Sequence, residues 1–342
     1  MAEHLNEVVL QSFIAALVVE ALLRLWDVRD PAQRLACRFG ALAGPVLLFP
    51  FFEGLAPFRH ADWFADGPAL IATRHFAALT VAGVGVDRLV AWPAWALGAL
   101  LLGRDLWPLL FSRTVHPERS RGMELRSVDA EPSTPLGLNR GSLAVPANSL
   151  GLNGVRALVW KLSATAGVAP ARVEVVDTPG PVLLCTGVRH SRLLVSPPLF
   201  ELLDEGELQG ALAHELSHVR RHDVLGSWVL LALRVLQAFN PVAQVLGRTV
   251  AWETELRADA DAARWTGRPA ALASALLKVF GTPDLAPLAG LALSAQLQRA
   301  RASALETRCR LLLDSPAASQ GPGPVLFTAA ALGLAVLLFF VT

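Results

Sequence analysis

The 342-residue sequence predicts a mainly α-helical membrane protein, in which transmembrane helices are joined to an α+β domain with a small mixed sheet. Three observations carry this expectation. The composition is 53% hydrophobic and only 17% charged, against about 25% charged in an ordinary soluble domain. The apolar residues are gathered into four long stretches. Between the third and the fourth, short β-like runs precede a well-capped helix. This composition excludes a disordered chain and a disulfide-stapled secreted domain. A net charge of +1 argues against nucleic-acid binding by bulk charge. The cysteines Cys37, Cys185 and Cys309 are far apart and read as free buried thiols.

A helix that crosses a bilayer needs about 20 apolar residues. Region 1–111 offers three such segments, at about 8–26, 36–52 and 76–111, and a fourth lies at 325–341. The first carries Gln11, Glu20 and Arg24, and the second is interrupted by Pro45 and Pro50. The third contains Asp87 and Arg88 and is cleanest from Leu89 to Gly103, while the fourth has no charge. Glu3 and Glu7 stand where a signal peptide would be basic. Arg24, Arg29, Arg34 and Arg38 surround the first connection, and Arg104, Arg113 and Arg119 follow the third segment. Because cytoplasmic loops are enriched in Lys and Arg, the N-terminus is expected outside, residues 112–320 in the cytosol and the C-terminus outside.

Residues 112–149 are polar and broken by Pro and Gly, and read as a linker. A domain over 150–320 follows. Val155, Leu158, Val159 and Leu162 give Leu150–Gly167 a helical period. Arg172–Val176, Val182–Thr186 and Arg192–Ser196 read as strands, with Gly180-Pro181 and Gly187 as turns. Asp204 and Glu207, three apart before an apolar-periodic run, form a capping box that opens a helix. Downstream, Val224–Phe239 is strongly apolar and breaks at Asn240-Pro241. It reads as a core helix, with a hairpin dipping into the bilayer as the alternative.

The capped helix contains His214-Glu215-Leu216-Ser217-His218. Histidines four apart are about 40° apart around a helix and one turn along it, so both imidazoles reach one metal ion. Glu215 is placed to take a proton from a water at the open position of a catalytic zinc. Such a site needs a third protein ligand. In Trp252-Glu253-Thr254-Glu255-Leu256-Arg257-Ala258-Asp259-Ala260-Asp261, Glu255 and Asp259 are again four apart on one helical face. Glu255 is expected as the third ligand, and Asp259 as the acceptor from the other ring nitrogen of a ligand histidine, His214 first. Glu253 and Asp261 compete for these roles. The plain alternative is a solvated helix face with two surface histidines. The apolar setting of the helix and the acidic helix downstream favour the metal. His222 and Asp223 read as surface groups or as supports of a ligand, His190 as a turn residue and Ser217 as packing.

These residues, with Arg220-Arg221-His222-Asp223 and Phe239-Asn240-Pro241, resemble the integral-membrane zinc peptidases of the beta-lactam sensor-transducer type, in the gluzincin class. The order of three membrane segments, a peptidase domain and a fourth segment is similar too. The resemblance implies a cytosolic gluzincin-like metallopeptidase domain with one Zn²⁺ per chain. It implies His214, His218 and Glu255 as zinc ligands, Glu215 as general base and Asp259 as support. The membrane-bound prenyl-protein and heat-shock peptidases share the metal motif, and Leu183–Gly187 and Leu305–Arg310 resemble their strand and late arginine. Many gluzincins stabilise the oxyanion with a downstream His or Tyr, but this sequence has no Tyr and no His after His222. Arg308 or His190 is therefore a candidate for oxyanion or substrate contact. The expected function is membrane-anchored, zinc-dependent endoproteolysis of a cytosolic or membrane protein in regulated signalling. Membrane quality control and a non-enzymatic scaffold with a vestigial metal site are the alternatives. The expected partners are a protein or peptide substrate and the bilayer, with no nucleic acid and with a homo-oligomer left open.

Overall fold

The computed structural model describes residues 2–81, 84–111, 152–178, 180–187, 191–280, 292–314 and 323–342. The expected linker at 112–149 and the turn residue His190 lie outside the described residues. The chain forms two compact units. One comprises Met1–Ser112, Ser227–Glu255 and Ala317–Thr342, and the other Arg113–Gly226 and Leu256–Pro316.

The first unit is helical. α1 (Ala2–Leu25) and α2 (Pro31–Leu55) are followed by a 3-10 turn (Pro57–His60), short α3 (Asp62–Ala65) and α4 (Thr73–Ala78), and a two-stranded ribbon of β1 (Thr80–Val81) and β2 (Val84–Gly85). α5 runs from Val86 to Phe111. Asp30 caps α2 by accepting from the Ala32 N–H at 3.1 Å, with Pro31 at the first helical position, where its missing N–H costs nothing. Pro45 and Pro50 lie inside α2 without ending it, as membrane helices allow. Three segments are long and apolar enough to cross a bilayer: His4–Leu25, Pro31–Leu55 and Arg88–Trp107. The third apolar stretch therefore begins its long helix at Val86 rather than at Phe76, because the ribbon interrupts it. The last helix, Pro324–Phe339, has 16 residues, about 24 Å of helix, and is shorter than those three.

Between them lies a hairpin. One arm is Asp223–Leu236 and the other begins at Pro241. The first arm buries no residue fully. Trp228 is 63% exposed and Leu236 62%, so this is not the core helix that its apolar period suggested. Leu230 and Leu233 pack with Ala15, Val19, Leu42, Ala243 and Leu246 in the core of the membrane unit. The turn is tied down by polar groups. Asn240 Nδ2 donates to Ser12 Oγ at 2.8 Å, and Gln237 Nε2 to the Leu42 carbonyl at 3.1 Å. Arg234 and Arg248 share Asp105 of α5. An outward apolar face with its polar groups satisfied inside is what a segment next to lipid requires.

In the second unit α6 (Leu152–Ala166) precedes three strands, β3 (Arg172–Val175), β4 (Leu183–Thr186) and β5 (Arg192–Val195). Their order is β3-β5-β4, with β3 parallel and β4 antiparallel to β5, so the sheet is mixed as expected. Pro197-Pro198 open a short helix, α7 (Pro197–Leu202), and α8 spans Glu205–Arg221. The hairpin arms are α9 (Asp223–Leu236) and α10 (Pro241–Thr266), followed by α11 (Pro269–Phe280), α12 (Ala292–Asp314) and, in the first unit, α13 (Pro324–Phe339). The core joins Val155, Leu193, Val195, Leu208, Leu212, Leu216, Ala262 and Leu272. Gly210 of α8 permits close approach of α11, since a Cβ there would lie 3.1 Å from Leu272 Cα.

Candidate metal centre

α8 is held firmly at both ends. The Asp204 side chain accepts from the Glu207 N–H and the Glu207 side chain accepts from the Asp204 N–H, each at 2.8 Å. Glu207 also accepts from Ser274 Oγ at 2.6 Å and Lys278 Nζ at 2.7 Å, which fastens the first turn to α11. At the far end His222 adopts the left-handed conformation, with φ of 55°, and its N–H returns to the His218 carbonyl. The motif therefore sits on a helix with little freedom to shift.

His214 is buried and His218 half-buried, one turn apart. Each Nδ1 meets a carboxylate: His214 lies 2.9 Å from Asp259 Oδ1, and His218 lies 2.8 Å from Asp223 Oδ2. The two Nε2 atoms are 3.2 Å apart. In the tautomer that puts a proton on each Nδ1, facing its carboxylate, both Nε2 atoms present lone pairs. Two lone pairs at this distance repel, and a cation between them removes the repulsion. Zn–N bonds of about 2.0–2.1 Å in a tetrahedral site place two nitrogens about 3.3 Å apart, so the observed spacing fits. Glu255 could supply a third donor: ligand atoms of His214, His218 and Glu255 all lie within 4.8 Å of one another. The division between the units falls inside continuous α10, just after Glu255, so this carboxylate rides one helical turn before Asp259.

The competing acids are engaged elsewhere. Glu253, fully buried, accepts from Arg34 Nε at 2.9 Å and also pairs with Arg38. Asp261 accepts from Ser217 Oγ and Arg221 Nε, at 2.9 and 2.8 Å, and pairs with Arg264. This contact gives Ser217 a polar role beyond packing. Of the two readings open for Asp223, its contacts fit the support of a ligand. Asp223 holds His218 and also accepts from Arg257 at 3.1 Å.

Asp259 is 3% exposed and receives a forked contact from Arg308, Nε and Nη2 each at 2.7 Å. Burial alone would raise its pKa. The hydrogen bonds from Arg308 and His214 outweigh it and lower the pKa to about 2, from an ordinary 3.8. Arg308 thus reaches the centre through Asp259 and His214. Glu215 points toward the sheet, where its Oε2 accepts from the Cys185 N–H of β4 at 2.8 Å. Burial, followed by the nearby charges of Glu215 and Asp223, pushes the Cys185 thiol up to about 11, so it is not an activated nucleophile at pH 7.

Two outcomes are expected. Glu253→Gln should lower unfolding stability by about 3 kcal/mol, the order found for broken buried pairs, and leave zinc retention unchanged. Glu255→Gln should do the reverse and weaken zinc by more than about tenfold. Melting curves and chelator competition on the full chain in detergent read both, and zinc loss in Glu253→Gln would reverse the assignment. For Asp259 the folded pKa is the lower one, so its ionised form stabilises the fold above about pH 4, and that contribution is lost as pH falls through about 2. The melting difference between metal-free wild type and Asp259→Asn should therefore shrink across that range. A difference independent of pH contradicts it.

Comparison with known proteins covers the same segment. Residues 171–308 match the family model described as BlaR1 peptidase M56. The chain is also similar to proteins named Protease HtpX homolog. It is 32% identical over 169 residues to that of Acidiphilium cryptum, covering 40% of this chain and 59% of the relative. It is 33% identical over 159 residues to that of Tropheryma whipplei (strain Twist), covering 36% and 55%. The chain thus spans somewhat over half the length of these relatives. The family match over residues 171–308 thus covers the same stretch that holds the His-His-Glu cluster, in a chain with three helices long and apolar enough to cross a membrane.

Proposed function

We propose that this protein is a membrane-anchored zinc endopeptidase that cleaves a cytosolic or membrane protein substrate in regulated signalling. The observation that carries this reading is the pair of imidazoles with Nε2 atoms 3.2 Å apart and each Nδ1 fixed by a carboxylate. His214, His218 and Glu255 would hold one zinc ion, and Asp223 and Asp259 would set the tautomer of each histidine. When bound, zinc supplies Lewis acidity that polarises the scissile carbonyl and acidifies water.

Glu215 then acts as general base and acid. It takes a proton from the attacking water and returns it to the departing amine. Its contact with the Cys185 N–H places that carboxylate beside β4, an edge strand of the sheet. An extended peptide added along β4 would pass the carboxylate with its backbone hydrogen-bonded, the usual mode of strand addition. Arg308 serves as a positioning residue: it holds Asp259 ionised, and Asp259 holds His214.

Arg24, Arg29, Arg34 and Arg38 cluster at the connection between α1 and α2. This supports a topology with the N-terminus outside and the peptidase domain in the cytosol. Similarity to the protease homologues also supports a second reading, quality control of membrane proteins. A comparison of cellular N-termini between wild type and Glu215→Gln separates the two, since one lost cleavage indicates a dedicated regulator and many indicate quality control.

For the chemistry itself, Glu215→Gln should retain zinc and lose peptide cleavage by at least about 100-fold. Chelator-sensitive hydrolysis of casein by the purified full chain provides the measurement. Undiminished turnover in this variant removes Glu215 from the mechanism.

A further inference from the structure

A second group of metal-ligating side chains lies in the membrane unit, apart from the peptidase site. His4 and Glu7 sit in the opening turns of α1, Glu53 near the end of α2, and His60 closes the 3-10 turn. α1 and α2 run as an antiparallel pair, which brings the start of one and the end of the other to the same end of the unit, opposite their connection at residues 26–30. Ligand atoms of all four residues lie within 4.8 Å of one another. His60 Nε2 is 2.5 Å from Glu53 Oε1, and the His4 and His60 rings meet edge to face with centroids 5.5 Å apart.

One member is rigidly placed. Glu7 is 1% exposed, and its Oε1 accepts from Gln11 Nε2 at 2.9 Å and Arg59 Nη2 at 3.0 Å. Arg59 is fully buried and also donates to the carbonyls of Phe339 and Val341, at 2.8 and 2.7 Å. Gln11 donates to Val341 as well, at 3.0 Å. The end of α13 therefore locks the two groups that hold Glu7. Glu53 is half-buried, while His4 and His60 are exposed, so three ligands can adjust around a fixed fourth. Glu7 and Glu53 bring two negative charges and Arg59 returns one, which leaves net negative charge for a cation to neutralise.

From this geometry we infer a second metal site, formed by His4, Glu7, Glu53 and His60, for a divalent first-row transition metal of the zinc class. Two imidazoles and two carboxylates suit zinc and its neighbours, whereas calcium and magnesium prefer oxygen alone. All four positions are filled by protein groups, the pattern of a structural site. The ion staples the start of α1 to the end of α2 and the 3-10 turn. The inference uses no residue of the peptidase centre and stands independently of the proposed activity.

Zinc content of the full chain in detergent tests it, after chelator stripping, reloading with zinc and desalting. The His214→Ala variant should keep one zinc per chain, and adding His4→Ala with His60→Ala should leave none. In the wild-type background the His4→Ala/His60→Ala pair should lose one zinc and retain cleavage within about twofold. Glu53→Gln is the independent variant, expected to lose the same ion, and melting in chelator checks that each variant is folded. Zinc should also raise the melting midpoint of His214→Ala, and this rise should vanish with Glu53→Gln. His214→Ala without zinc, or zinc content indifferent to His4, His60 and Glu53, overturns the site. Failure of the peptidase reading would appear separately, as equal zinc in wild type and His214→Ala.

Discussion

Two imidazole nitrogens 3.2 Å apart, each with a carboxylate on its opposite nitrogen, set the constraint on which the candidate metal centre depends. Neutral histidines protonated on Nδ1 have no proton to share between their Nε2 atoms, and a cation between the two lone pairs makes the arrangement favourable. The surrounding structure serves to impose it. The capping box and the Glu207 contacts with α11 fix the start of α8, and the left-handed His222 turns the chain so that Asp223 reaches back to His218. Arg308 keeps Asp259 charged in a buried setting where burial alone would favour the neutral acid.

Three of the four acids of α10 serve three different tasks. Glu253 neutralises Arg34 and Arg38 in the membrane unit, Glu255 joins the histidines, and Asp259 supports one of them. Residues two apart on a helix point about 200° apart, and those four apart share a face. This periodicity is why Glu253 and Glu255 cannot exchange roles. A buried charge at position 253 is tolerated because it is paired, and the same holds for Asp105 between Arg234 and Arg248.

Much of this was legible in the sequence, for reasons that differ by element. The capping box, the histidines four apart and the spacing of Glu255 and Asp259 are local patterns whose geometry follows from the helix itself. The strand runs were visible as β-branched and apolar stretches bounded by Gly and Pro. The spacing of Glu255 to Asp259 favours Glu255 over Glu253, while the pairing of Glu253 with Arg34 and Arg38 is a long-range contact that spacing does not encode. For Asp223 the sequence leaves a surface group and a support of a ligand both open, because its contact with His218 depends on the turn at His222, which has no periodic signature. α9 misled because an apolar period has the same form whether it faces a core or lipid. The limits of the third apolar stretch are not encoded in composition, because apolar content does not distinguish the Thr80–Gly85 ribbon from the start of a helix.

Zinc-edge anomalous diffraction from crystals of the full chain addresses the central claim most directly. An anomalous peak bonded to His214 Nε2, His218 Nε2 and a Glu255 carboxylate oxygen at about 2.0–2.2 Å is expected. A well-ordered centre without that peak, or an ion held by the histidines with Glu255 turned away, would contradict that claim.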